Sequence, residues 1–145
     1  MAEIRNRQAY FEYFIEDKYD AGVVLGGTEV KSIRAGKVSF NDSYCSFHKG
    51  ELWIRSLHIA EYSHGTVNNH VDVRERKLLL HKKELKKIET KIKEKGVSVI
   101  PLRIFFSEKG FVKIEIGLGK GKKLYDKRDT IKERDTQREM KKYIK

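Results

Sequence analysis

Over residues 10–25 the chain alternates between two faces, with Phe11, Tyr13, Ile15, Asp17 and Tyr19 on one and Tyr10, Glu12, Phe14, Glu16 and Lys18 on the other. A period of two is the side-chain spacing of a β-strand, so the stretch predicts a long strand. Ala21-Gly22 should break it, and Val23-Val24-Leu25 resume it as a short buried strand. Two hairpins follow. Residues 43–47 and 52–55 flank His48-Lys49-Gly50, a short turn in which glycine can take a positive φ. Residues 97–106 and 111–118 flank Ser107-Glu108-Lys109-Gly110, and Pro101 places a sheet edge or a bulge in the first of them. Helix is confined to two segments. Gly26-Gly27 reads as a turn and Thr28 as an N-cap, with a short helix over residues 29–35 that stops at Gly36. Leu78, Leu85, Ile88 and Ile92 share one face of a second helix, predicted over residues 78–95 and ended by Gly96. Residues 61–72 are polar and read as a loop. About six short antiparallel strands with flanking helices make a mainly β fold, a small closed or partly open barrel of the OB type.

Past residue 118 the composition changes. Leu124, Tyr125, Ile131, Met140, Tyr143 and Ile144 are the apolar residues beyond Gly119, and they form no continuous stripe. Ordering a residue costs about 1–2 kcal/mol of backbone entropy, which so little apolar area cannot offset unaided. The chain should therefore divide into a barrel domain over residues 1–118 and a basic tail over residues 119–145. The tail is expected to be disordered when free. Its Lys, Glu, Arg and Gln content favours helix once a surface supplies contacts.

The net charge of the 145 residues is +11, and it is concentrated. Residues 74–95 hold ten Lys and Arg against four acidic residues, and residues 118–145 hold eleven against five. The remainder is nearly balanced, with eleven against twelve. Two basic segments on a neutral body are the footprint of a polyanion partner, because each phosphate neutralised by Lys or Arg releases condensed counterions. A lysine-rich helix can also be no more than a solvated surface. Basic residues interleaved with aromatics are the combination that holds unpaired RNA, with phosphates on the cations and bases stacked on rings. GKGKKLYDKR, residues 119–128, has it in compact form, with Tyr125 between Lys122-Lys123 and Lys127-Arg128. Tyr125 can stack on a base, or pack back on the barrel.

No catalytic arrangement emerges. Cys45 lies mid-strand with alternating neighbours and reads as a structural thiol, and one cysteine permits no internal disulfide. His48, His58, His64, His70 and His81 lack metal-ligand spacing, and no metal or cofactor is expected. Glu16 and Asp17 point to opposite faces of their strand. GLGKGKK, residues 117–123, lacks the glycine spacing and the Ser or Thr of a phosphate loop and reads as a flexible basic hinge. No apolar run approaches the ~18–20 residues of a membrane span, and the first residues lack a signal-peptide core. A cytoplasmic, non-enzymatic binding protein without membrane contact is expected.

Three longer words are more specific. YFIEDKYDAGVVLGGTEVKSIRAGKVSFNDSY (residues 13–44), RERKLLLHKKEL (74–85) and GLGKGKKLYDKRDTIKERD (117–135) resemble the small protein B family, the SsrA-binding (tmRNA-binding) proteins of bacterial trans-translation. The resemblance runs from about residue 6 to about residue 139, with the motifs in order. It implies an OB-type barrel that binds the tRNA-like domain of tmRNA. It further implies delivery of alanyl-tmRNA, charged by alanyl-tRNA synthetase and carried with elongation factor Tu and GTP, to stalled ribosomes. Carried over by position, the tmRNA-binding face comprises Asn6, Asp20, Arg76, Lys77 and Leu79. Asp20 stands where the family usually has Glu, one methylene longer. Leu78, Leu79 and Leu80 cannot all face inward, which leaves one for RNA. In the tail, Lys120, Lys122, Lys123, Tyr125, Asp126, Lys127 and Arg128 fall at positions implied to lie against small-subunit rRNA in the decoding centre and the vacant mRNA channel. A monomer is expected. A general OB-type translation or ribosomal RNA-binding protein would share the charge and the barrel; an RNA-processing enzyme would need clustered carboxylates or a metal.

Overall fold

The computed structural model describes residues 3–62 and 69–122. In chain order these form β1 (Ile4–Arg5), α1 (Arg7–Glu12), β2 (Tyr13–Val23), α2 (Gly27–Arg34), β3 (Val38–Ser39), β4 (Tyr44–His48), β5 (Glu51–Arg55), β6 (His58–Ile59), β7 (Arg76–Leu79), α3 (Lys82–Lys95), β8 (Ser98–Phe106) and β9 (Val112–Gly121). The main sheet runs β1-β8-β4-β5-β7-β2-β9, and β8 also pairs with β9. That second pairing closes β2, β9, β8, β4, β5 and β7 into an antiparallel barrel. Closure is uneven. β2 meets β9 along almost its whole length, whereas β4 meets β8 at the single pair Cys45–Val99.

The alternation of β2 appears as expected from residue 13 onward. Tyr13, Ile15, Asp17 and Tyr19 turn inward, Ala21 is fully buried, and Phe14, Glu16, Lys18 and Asp20 face solvent. Inside lie Leu52, Ile54, Leu78, Ile104, Ile114, Ile116 and Leu118, with Leu85 and Ile88 of α3 packed on the same core. Both hairpins, the Gly36 stop of α2 (φ +74°) and the left-handed Gly96 that ends α3 are present. Pro101 lies beside a register shift, which is the bulge its missing N–H predicts.

Several expectations need correction. Tyr10, Phe11 and Glu12 belong to α1 rather than to the strand, because Ala9 is buried against Ile100 and Leu102. Ala21-Gly22 does not break β2; both residues pair with β9, and Gly22 also pairs with Leu79. Val24 and Leu25 are not strand, and Val24 is half exposed. The N-cap of α2 is Gly26, not Thr28, with Glu29 Oε1 accepting the Gly26 N–H at 2.9 Å. The second helix starts at Lys82, and Leu78 and Leu79 lie in β7.

The expected hinge at residues 117–123 is also different. β9 continues through Gly121, three residues past the expected domain boundary. Gly117 and Gly119 sit where strands approach too closely for a side chain. A Cβ on Gly117 would lie 2.9 Å from Leu102 Cδ1, and one on Gly119 would lie 2.6 Å from the Phe14 carbonyl oxygen. Gly119→Ala is therefore expected to cost about 1–3 kcal/mol of stability, as overpacking does. Gly121→Ala, with nothing within 4 Å, is the control. Equal urea midpoints for the two variants would show that the strands separate without cost.

Candidate nucleic-acid interface

Strand register assembles the outer face around β2. Asp20 sits opposite Glu115, Gly22 opposite Lys113, and Arg103 of β8 opposite Glu115 in turn. Arg103 reaches Glu115 at 3.4 Å and stacks its guanidinium 4.1 Å from the Phe105 ring centroid. On the other flank Gly22 meets Leu79. Strand alternation, rather than helical geometry, decides among the three leucines: Leu78 is fully buried, Leu79 is 51% exposed, and Leu80 is partly buried. Lys77 shares the outward side of β7 with Leu79 and lies 3.8 Å from Glu51. Asn6 closes one end. Its Nδ2 donates to the Pro101 carbonyl at 2.8 Å and its backbone N–H to the Leu102 carbonyl at 2.8 Å. Asp20, Lys77 and Leu79 thus take outward positions on the paired strands β2 and β7, and Asn6 is anchored to β8 beside Arg103, whose partner Glu115 lies opposite Asp20.

Arg76 does not join them. Its side chain is 0% exposed. Nε donates to Glu29, and Nη1 donates to the carbonyls of Leu57 at 2.8 Å and Arg74 at 3.2 Å. Arg74 grips the same carboxylate, with Nη2 at 2.6 Å. Burial alone would raise the Glu29 pKa, but hydrogen bonds from Arg74, Gly26 and Arg76 together hold it below the usual carboxylate range. Arg76 therefore ties β7 to α2 and has no surface to offer RNA.

Lys120 is exposed at the end of β9. The Lys122 amide donates to the Glu12 carbonyl at 2.8 Å, and its ammonium lies 4.9 Å from the Phe14 ring centroid. Lys123, Tyr125, Asp126, Lys127 and Arg128 lie outside the described residues. The basic segment 74–95 splits between β7 and α3, whose core face carries Leu85, Ile88 and Ile92. Lys82, Lys83, Lys86, Lys87 and Lys93 of α3 are exposed. Lys91 points back to the barrel at 2.6 Å from Asp17, which raises its pKa.

Sequence reading misses a second cationic group. Arg5, Arg7, Tyr10, Lys18, Arg103 and Glu115, with Asn6 and Leu102, line a groove of about 680 Å³ between α1 and the outer sheet face. The Lys18 ammonium lies 5.4 Å from the Tyr10 ring centroid, and the Tyr10 hydroxyl raises its pKa. The signals present in the sequence are the arginines on either side of Asn6 and a lysine on the polar side of β2. Cys45 is buried, which pushes its thiol pKa well up and keeps it protonated. Among the described residues no group of three or more His, Cys, Asp or Glu could hold a metal ion, and no helix is long and apolar enough to cross a membrane.

A closed antiparallel barrel whose outer face carries cations, exposed aromatics and an exposed leucine belongs, by its chemistry, to the nucleic-acid-binding barrels. Comparison with known proteins narrows this. A family model described as SmpB protein matches residues 3–145. An SsrA-binding protein of Bacteroides thetaiotaomicron is 53% identical over 98% of this chain and 95% of its own length. That of Phocaeicola vulgatus is 54% identical over the same shares. A chain in a solved structure described as "tmRNA-SmpB: a journey to the center of the bacterial ribosome" superposes with a TM-score of 0.72 at 44% identity, covering 89% of this chain and 94% of that one. The chain belongs to the SmpB family.

Proposed function

We propose that this protein is the tmRNA-binding factor of trans-translation in its cell, a cytoplasmic binding protein with no catalytic step. The observation that carries the reading is the near full-length match to SsrA-binding proteins, together with the likeness to a chain from a tmRNA-SmpB structure. The outer face of β2, β7 and β9 binds the tRNA-like domain of tmRNA through Asn6, Asp20, Lys77 and Leu79. In a basic protein, the carboxylate of Asp20 serves to accept hydrogen bonds from base or ribose donors, while the lysines meet phosphates. The protein delivers the charged RNA, with elongation factor Tu and GTP, to stalled ribosomes. The segment after Lys122, with Lys123, Tyr125, Asp126, Lys127 and Arg128, enters the vacant mRNA channel, contacts small-subunit rRNA and reports that no message is present. Peptide tagging and ribosome rescue follow.

The test is a competition titration at one fixed salt concentration, because each phosphate contact adds to the salt slope of the affinity. The tRNA-like fragment of tmRNA competes against ordinary tRNA and an unstructured RNA of equal length. The expected preference for the tmRNA fragment is at least about 100-fold, approaching the range that specific recognition gives over non-specific phosphate binding. Near-equal affinities would reduce the protein to a general basic RNA binder of the translation apparatus.

A further inference from the structure

The groove beside α1 has a chemistry that phosphate contacts alone do not account for. On a surface that binds RNA backbone, cations suffice. Here a carboxylate, Glu115, sits among Arg5, Arg7, Lys18 and Arg103, directly opposite a second carboxylate, Asp20. Like charges directly opposite on a sheet are destabilising. Arg103 relieves part of that repulsion from 3.4 Å, and its guanidinium lies over the Phe105 ring. The groove is lined by the buried Leu102 and by Tyr10, whose side chain is 44% exposed. An aromatic ring, an apolar side chain, a carboxylate acceptor and cations are the parts of a site for one unstacked nucleotide. The size agrees: about 680 Å³ falls in the range of clefts that hold a single small ligand.

Resting on the RNA-binding reading above, we propose that this groove receives one nucleotide extruded from the bound RNA. Tyr10 stacks on its base, the Glu115 carboxylate accepts from the exocyclic amino group of that base, and Arg7 and Lys18 hold the flanking phosphates. Asn6 marks the groove's outer end. Its Nδ2 donates one hydrogen to the Pro101 carbonyl, which anchors the side chain at the groove. The base is therefore one that carries an exocyclic amino group, namely adenine, guanine or cytosine, and not uracil. The site differs from a simple cationic patch in that its affinity contains a large contribution independent of salt.

Equilibrium binding of the tRNA-like tmRNA fragment to the full chain, at several salt concentrations, tests this. Tyr10→Ala is expected to weaken binding about 5–150-fold, the effect of losing one base stack, with the slope of log affinity against log salt unchanged. Tyr10→Phe should recover that loss, since it retains the ring. Arg7→Ala is expected to lower the salt slope by about one phosphate contact. A fluorescent adenine analogue placed at successive unpaired positions should be quenched at one position by the wild type and not by Tyr10→Ala. Loss of less than twofold in Tyr10→Ala, or quenching that survives it, overturns the proposal. The parent reading fails separately: if wild type shows no preference for the tmRNA fragment, yet Tyr10→Ala still loses affinity at constant slope, the nucleotide site stands on a different RNA.

Discussion

Glu29→Gln is expected to cost about 3–5 kcal/mol of folding stability, the penalty for leaving a buried charge without its partner. Against a total of about 5–15 kcal/mol for a domain of this kind, that is a large share. Glu29 and Arg76 expose 1% and 0% of their side chains, so neither can turn to water when the other is removed. A glutamine keeps the shape but brings an NH2 group up to guanidinium donors that need an acceptor. Replacing both partners with apolar residues of similar volume is expected to recover much of the loss. The pH dependence has a fixed sign. The Glu29 carboxyl titrates below its usual range in the folded protein, so its contribution is present above about pH 4.3 and fades as pH falls through the lowered folded value. Urea denaturation of wild type and Glu29→Gln at pH 7 and at pH 3 is the measurement. The stability gap should narrow in acid; a gap of equal size at both pH values would show that charge is not its source.

That pair also shows what sequence patterning cannot reach. Arg76 lies in the middle of a basic word, RERKLLL, and by composition alone every cation in it looks like a phosphate ligand. Strand alternation settles the matter only once the segment is known to be a strand: Arg76 and Leu78 turn inward, Lys77 and Leu79 outward. A helix over residues 78–95 would place Leu78 on the same face as Leu85, and both are indeed buried, but in different elements. Apolar spacing identifies which residues seek the core more reliably than it identifies how the backbone takes them there.

The same limit applies at the other end of β2. Alternation from Tyr10 to Glu12 is compatible with a strand, yet Ala9 finds a small pocket against Ile100 and Leu102, and the segment coils to fill it. That short helix creates the groove, so a reading that makes residues 10–12 extended cannot see it. By contrast, the barrel and both hairpins are legible, because the strands and turns that make them depend on local period and turn chemistry. Leu79 comes only with the family resemblance, since the helix expected over residues 78–95 gives no strand period to expose it. Glycines mislead for a physical reason. Flexibility and close approach both favour Gly, and only the 2.6 Å that would separate a Cβ on Gly119 from the Phe14 carbonyl oxygen tells the second from the first.

The strand end fixes where the tail can be cut. A chain ending at Lys122 keeps the pairs Tyr13–Gly121 and Phe14–Lys120 and the hydrogen bond from Lys122 to Glu12. It is expected to bind the tRNA-like tmRNA fragment within about tenfold of wild type, with a shallower salt slope because nine basic residues against five acidic ones are gone. Peptide tagging on stalled ribosomes should be abolished. A chain ending at Gly119 is a different protein. It loses the pairs Tyr13–Gly121 and Phe14–Lys120 and the Lys122 bond to Glu12 at the end of α1, and is expected to lose stability and some RNA affinity as well. Tyr125→Ala, in the full chain, should slow tagging by the amount one stacking contact contributes and leave tmRNA affinity unchanged. Comparing the two truncations in binding and tagging assays separates escort from sensing. Tagging by the chain ending at Lys122 would mean that the barrel alone reports the empty channel; loss of most of its RNA affinity would mean that the tail is part of the grip.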